Sequence, residues 1–218
     1  MLKPPFELRI LHEADSLLVV DKPPRLPTSG RDLNDPDCLQ YWLIQRHGGM
    51  VWVAHQLDAD TTGLNLFVTE KRLVDELRLK MAAPSARKRY LALVHGLPAW
   101  DERDLHAPIG KIDARSLGVH PDGKAARSAF RVLARGNNAA LVEATIFTGR
   151  THQIRIHLAH LGHPLFGEEW YVRPACTEHP RQALHAWRME LPGVSLYAPL
   201  PADLVALAAR LGIDATAA

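Results

Sequence analysis

Two carboxylates, Asp58 and Asp60, stand beside Thr61, Thr62 and Gly63 in the run His55–Phe67 (HQLDADTTGLNLF). A carboxylate mounted on a turn between two strands is held rigidly and stays reachable, which suits a nucleophile or a general base. The same pattern also suits an Asx-type turn in which either acid bonds nearby backbone N–H groups. A second run, Thr148–Pro164 (TGRTHQIRIHLAHLGHP), gathers Arg150, His152, Gln153, Arg155 and His157 at one helical start. Free N–H groups there favour anions, so phosphate contacts from Arg150 and His152 are the natural chemistry. The plainer reading is a capped helix with a polar outer face. Metal ligation fails on spacing, because His152 and His157 lie about 140° apart on a helix and the later histidines drift round the axis. A third run, Lys88-Arg89-Tyr90, opens the strand-like YLALVHG. A basic pair beside an aromatic ring is able to stack a base and grip its phosphate.

These residues need elements to hold them. Leu8 to Val20 reads as one extended stretch before the breaker Lys22-Pro23-Pro24. Asp37 is placed to cap a helix through Arg46, ended by Gly48-Gly49. Val51–Ala54 and the alternating Gly63–Thr69 predict strands around the Asp58–Thr62 turn. Glu70–Ala83 puts Leu73, Val74, Leu77 and Met81 on one helical face. Arg89–Val94, Ser128–Ala134 and Leu141–Thr148 are strand-like, with Gly136-Asn137-Asn138 as a tight connection. From Thr151 a helix runs to Gly162, and residues 200–212 hold a terminal amphipathic helix. Without regular βαβ alternation the pattern predicts an α+β fold with a largely antiparallel or mixed sheet. No repeat or linker divides the chain, so residues 1–218 are expected to form a single domain.

The chain has 218 residues, 47% hydrophobic and 23% charged. That composition is ordinary for a soluble globular protein and excludes disorder, collagen and coiled coil for the whole chain. No apolar run reaches the roughly 18–20 residues that span a bilayer, and no signal-peptide pattern follows Met1. Cys38 and Cys176 are the only cysteines, which excludes a disulfide framework and a four-thiolate zinc site and favours a reduced, cytoplasmic setting. A formal net charge of +2 decides little, but basic residues are concentrated centrally. Seven lie between Lys71 and Tyr90, and six (Lys111, Arg115, Lys124, Arg127, Arg131, Arg135) lie between Lys111 and Arg135. No GxSxG, phosphate-cradling glycine loop, GxGxxG or HExxH is present.

Five segments, taken in order, resemble the RluA-type RNA pseudouridine synthases: LLVVDKP (17–23), HQLDADTTGLNLF (55–67), KRYLALVHG (88–96), GRTHQIRIHLAHLGHPLFGEEWY (149–171) and LHAWRMELP (184–192). The resemblance spans residues 17–192. It implies an α+β catalytic fold with a mixed, mainly antiparallel sheet flanked by helices and loops and an active cleft across its middle. It implies conversion of a uridine to pseudouridine in structured ribosomal or transfer RNA, with no cofactor, no metal and no membrane. By residue-for-residue match Asp58 is the catalytic carboxylate, Arg155 the arginine that pairs with it, and Tyr90 the ring that stacks on the flipped base. Lys22, His55, Gln56, Lys88, Arg150 and His152 become candidate RNA contacts. The first motif begins by Leu17, which leaves no room in this sequence for the small RNA-binding domain that many relatives carry ahead of it. A monomer is expected.

Three positions depart from the family pattern. Gln56 replaces a usual Arg two residues before the catalytic Asp, Arg25 stands where Gly commonly follows Lys-Pro, and Glu168 replaces an Asp after Gly167. Two alternatives follow: an RNA-binding descendant without activity, suggested by Gln56, and a metal hydrolase built on the His-rich segment.

Overall fold

Asp15 and Ser16 both adopt positive φ (50° and 61°), the two-residue hairpin geometry that lets right-twisted strands pair closely. The stretch read as one strand from Leu8 to Val20 is therefore a hairpin. The computed structural model describes residues 4–114 and 116–215, so Arg115 of the second basic run lies outside the described residues. In chain order the elements begin β1 (Arg9–Ala14), β2 (Leu17–Lys22), α1 (Leu39–His47), β3 (Trp52–Val53), β4 (Thr62–Val68), α2 (Leu73–Ala82), β5 (Arg87–His95) and β6 (Glu102–His106). They continue β7 (Ile109–Lys111), β8 (Leu117–Val119), β9 (Arg127–Arg135), β10 (Ala139–Ile146), α3 (Gln153–His160), β11 (Leu184–Leu191), β12 (Val194–Tyr197) and α4 (Ala202–Arg210). The fold is α+β, as the pattern predicts. Strands β6, β7, β8, β11 and β12 were not expected: β7, β8 and β12 are too short to show a period, and β6 is exposed and charged.

The described residues fall into two compact units, the first running to Ala86 and taking in Ala186–Pro199, the second formed by Arg87–His185 and the residues from Leu200 onward. In the first, strand order is β1-β2-β4-β11, with β3 also on β4 and β12 on β11. All seven residues of β4 are buried, so covering on both faces overrides the alternation read from its sequence. Leu18, Val20, Leu26, Leu39, Leu43, Val51 and Phe67 form the core under α1. Asp37 does not cap α1. The N-cap is Cys38 without a side-chain bond, and the first amides, of Leu39 and Gln40, donate to the carbonyls of Pro27 and Thr28 instead. Backbone from the preceding loop satisfies the orphan donors that a side chain would otherwise take.

In the second unit the order is β5-β10-β9-β6, beside the separate hairpin β7-β8. Helix α3 does not carry a polar outer face: Gln153, Arg155 and His157 are all buried. Gln153 is fully used. Its Oε1 accepts from the Thr148 hydroxyl (2.8 Å) and the Arg150 N–H (3.1 Å), and its Nε2 donates to Arg127 O and Ser128 Oγ (both 2.9 Å). His157 continues the chain, with Nδ1 2.9 Å from Ser128 Oγ and Nε2 2.9 Å from Ala107 O. A carbonyl only accepts, so Nε2 carries the hydrogen and the serine hydroxyl donates to Nδ1. The sequence pattern missed this because buried side chains that satisfy one another look the same, as letters, as solvated ones.

Burial holds His157 below the usual histidine range, and burial with the neighbouring Arg181 charge does the same for His179. A depressed histidine is neutral in the fold while the unfolded chain takes up its proton, so stability is present above the unfolded value of about 6.5 and falls as pH drops through the window below it. The unfolding midpoint is expected to fall between about pH 7.5 and pH 5.5. A flat profile there would show that His157 is protonated in the folded protein.

Candidate active site

Asp58 sits half-buried on a tight turn between β3 and β4, closed by the Thr61 N–H donating to Asp58 O at 3.1 Å. Lys22, at the end of β2, holds this turn from inside. Its ammonium donates to the carbonyls of Pro23 (3.0 Å), Leu26 (2.8 Å) and Ala59 (2.7 Å), and the residue is 0% exposed. Lys22, a candidate RNA contact by sequence, is therefore placed beneath the turn, where its ammonium braces the loop carbonyls. The Leu26 N–H adds a bond to Ala59 O at 3.2 Å, and Asp60 Oδ1 accepts the Arg25 N–H at 3.2 Å. Asp60 is therefore bonded across the loop to a residue far away in sequence.

A buried polar layer lies beneath. Thr28 Oγ1 accepts the Leu57 N–H (3.0 Å) and donates to Asn65 Oδ1 (2.9 Å). Asn65 Nδ2 donates to His55 O (3.0 Å), and His55 Nε2 accepts the Leu66 N–H (3.3 Å). His55 thus has a fixed structural bond. Gln56 is exposed and donates to Ser29 Oγ at 2.8 Å. Thr28 and Asn65 were not anticipated, although an Asn inside an apolar strand is a legible signal of a buried hydrogen-bonding task.

The remaining candidates belong to the second unit. Arg155 is gripped by Glu168, Nε to Oε2 at 2.8 Å and Nη2 to Oε1 at 2.9 Å, with both side chains buried. Burial pushes the Glu168 carboxyl up, but Arg155 together with the amides of Trp170 and Tyr171 outweighs it and holds the group below the usual carboxylate range. The Arg155 guanidinium also lies over the rings of Trp170 (5.0 Å) and Tyr171 (5.3 Å). Gly167 permits the loop to pass: its φ is +75°, and a Cβ there would collide with Arg181 O. His152, the N-cap of α3, is itself left-handed (φ 54°), with Nδ1 2.5 Å from the Tyr171 hydroxyl. Arg150 Nε donates to Ala125 O at 2.9 Å. Tyr90 lies on β5, opposite Ala144, and is 7% exposed. Lys88, two residues earlier and so on the same face, has neither hydrogen bond nor ion pair among the described residues, and burial lowers its pKa.

The central basic runs are partly neutralised. On β9, Arg127 pairs with Asp104 (2.7 Å), Arg131 with Glu143 (3.2 Å) and Arg135 with Asp101 (2.8 Å). Around α2, Arg72, Arg78 and Lys80 pair with Glu70, Asp75 and Glu76. Among the described residues the one group of His, Cys and carboxylate side chains close enough to share a metal ion is His95, Cys176 and Glu178, which includes none of the histidines of the His-rich segment. No helix among the described residues is long and apolar enough to cross a membrane.

Residues 16–160 match the RNA pseudouridylate synthase family. The chain belongs to that family. It is 35% identical to the ribosomal large subunit pseudouridine synthase D of Nitrosomonas europaea over 92% of this chain, and it spans 64% of that relative's length. The protein of the same name from Pseudomonas aeruginosa is 34% identical, covering 95% of this chain and 73% of its own. An uncharacterized RNA pseudouridine synthase of Bacillus subtilis is 32% identical over 97% and 75%. The structure of human RNA Pseudouridylate Synthase Domain Containing 1 is similar with a TM-score of 0.76 at 25% identity, over 91% of this chain and 86% of that one. Human RNA Pseudouridylate Synthase Domain Containing 4 has a TM-score of 0.78 at 23% identity, over 94% of each chain, and so shares the fold. Every site residue named from the sequence lies inside the family match. Glu168 lies beyond its last residue.

Arg25 retains the left-handed backbone that a family glycine would adopt, at φ 59°, and L-residues resist that conformation by roughly 1–2 kcal/mol. Arg25→Gly keeps the N–H that bonds Asp60. After glycine's larger unfolded-state entropy is set against the relief, the variant is expected to be more stable by about 0.5–1 kcal/mol. Denaturant unfolding checks this, and a less stable variant would mean that the arginine side chain contributes more than its backbone strain costs.

Proposed function

We propose that the protein is an RNA pseudouridine synthase that isomerises a uridine of structured ribosomal RNA in the cytoplasm, acting as a monomer without a cofactor, with transfer RNA stem-loops as the second substrate class. The observation that carries the reading is the family match over residues 16–160. The names of the bacterial relatives support ribosomal RNA as the substrate.

The reaction breaks the bond from uracil N1 to ribose C1′, turns the base, and joins C5 to C1′. C5 loses its proton and N1 ends with one, so the atoms balance without a co-reactant. Asp58 supplies the ionised carboxylate that acts on the nucleoside. The resemblance gives Arg155 the part of the arginine that favours an ionised carboxylate, and within its own unit its guanidinium is oriented by two parallel bonds to Glu168. Glu168 is then a positioning residue that holds the arginine plane. Tyr90 stacks on the base after it leaves its own stack. Flipping costs a few kcal/mol and stacking on an aromatic ring returns about 1–3 kcal/mol, so the ring offsets much of the cost. Gln56, Arg150 and His152 are placed on loops or a helix start suited to the RNA backbone, and Lys88 lies on Tyr90's face of β5.

A pseudouridine map of total RNA from a strain lacking the gene, rescued with wild type or with Asp58→Ala, tests the reading. One or more uridines are expected to be modified with wild type alone. Modification restored by Asp58→Ala would overturn the catalytic assignment, and none restored by wild type would overturn the activity. Lys88 adds a second test, because a desolvated ammonium with no partner destabilises the free protein and is relieved by a phosphate. Lys88→Met is expected to raise the unfolding midpoint and to weaken RNA binding. A variant that binds RNA as tightly as wild type would remove Lys88 from the contact set.

A further inference from the structure

His95 closes β5 with its ring stacked on Phe166, centroids 3.7 Å apart. Its Nε2 is buried and has no hydrogen-bond partner among the described residues. Glu178 Oε2 stands 3.6 Å from that nitrogen, too far for a hydrogen bond. One ligand atom each from His95, Cys176 and Glu178 lies within 4.8 Å of the others. Tetrahedral zinc bonds of about 2.0–2.3 Å place ligand atoms roughly 3.3–3.8 Å apart. The histidine–glutamate distance already fits that range, and the exposed Glu178 side chain is free to bring the wider pairs closer.

We propose that His95 Nε2, Cys176 Sγ and the Glu178 carboxylate bind a zinc ion, with water in the fourth position. Imidazole, thiolate and carboxylate together select zinc over the hard cations, which prefer oxygen alone. Binding replaces the thiol proton with the metal and releases that proton to solvent. The task of the ion is to fasten a loop. The Cys176 N–H donates to Glu168 O at 2.9 Å, and Glu168 holds Arg155. The ion would tie the segment running on from Glu168 to the end of β5, the strand that carries Tyr90. The His95 ring is anchored on the strand side, where its backbone N–H donates to Pro164 O (2.9 Å) and its carbonyl bonds His163 Nδ1 (3.0 Å).

The test uses the full-length protein. Metal is removed with a chelator, and Zn²⁺ or Co²⁺ is titrated back. One equivalent of Co²⁺ is expected to give tetrahedral d–d bands with a thiolate-to-cobalt charge-transfer band. Zn²⁺ should bleach both and raise the unfolding midpoint. Cys176→Ser should lose the charge-transfer band, and Glu178→Gln, an exposed and fold-neutral change, should weaken zinc binding at least tenfold. Absence of the charge-transfer band in wild type, or a band that survives Cys176→Ser, would overturn the proposal.

Discussion

A guanidinium and a carboxylate, both out of contact with water, organise the second unit. Desolvating two charges costs several kcal/mol each, and their attraction repays this only when the geometry is good and the remaining donors and acceptors are used. Arg155 and Glu168 meet the condition with two parallel bonds, two aromatic rings over the cation and a backbone amide on the anion. The pair thereby dictates much around it. It needs Gly167 to bring the loop in, it fixes where Trp170 and Tyr171 fall, and through Tyr171 it reaches His152 at the start of α3. Its value lies in fixing orientation more than in net stability, since apolar residues of equal volume would often stabilise a fold as well.

In the first unit a buried ammonium braces the site from beneath: Lys22 donates to carbonyls drawn from two loops. Lysine suits this because its three donors point in different directions, whereas a planar fork favours a planar partner. The Asp58 turn therefore has its position set from behind, by a fully buried side chain.

Much of this was legible in the letters. The helix over Leu73–Ala82 has a plain apolar period, β5, β9 and β10 read as strands, and the Asp58 run reads as a turn between strands. What stayed hidden has a common cause. Lys22, Gln153, Arg155, His157 and Glu168 are polar residues that bond one another or the backbone in the interior, and a sequence shows no difference between such a residue and a solvated one. Glu168 was noticed only as a replacement for aspartate. Its partnership with Arg155 depends on a loop path that no local pattern encodes. The cap of α1 was misplaced for a related reason: a distant loop supplied the acceptors. The family resemblance marked position 25 as one for glycine, and the structure supplied the positive φ that makes the arginine strained.

The ion pairs of β9 and α2 change what a distant polyanion senses. A side-by-side cation and carboxylate form a dipole, whose field decays faster than that of a lone charge and is screened sooner. The long-range attraction from the two central basic runs is therefore carried by the lysines without an ion pair among the described residues, Lys71, Lys88, Lys111 and Lys124. Under the proposed function the paired arginines would act at short range, by exchanging a carboxylate for a phosphate. Such an exchange replaces one charge-assisted bond with another of similar strength. It contributes fit more than tightness, so encounter and discrimination are divided between two kinds of cation.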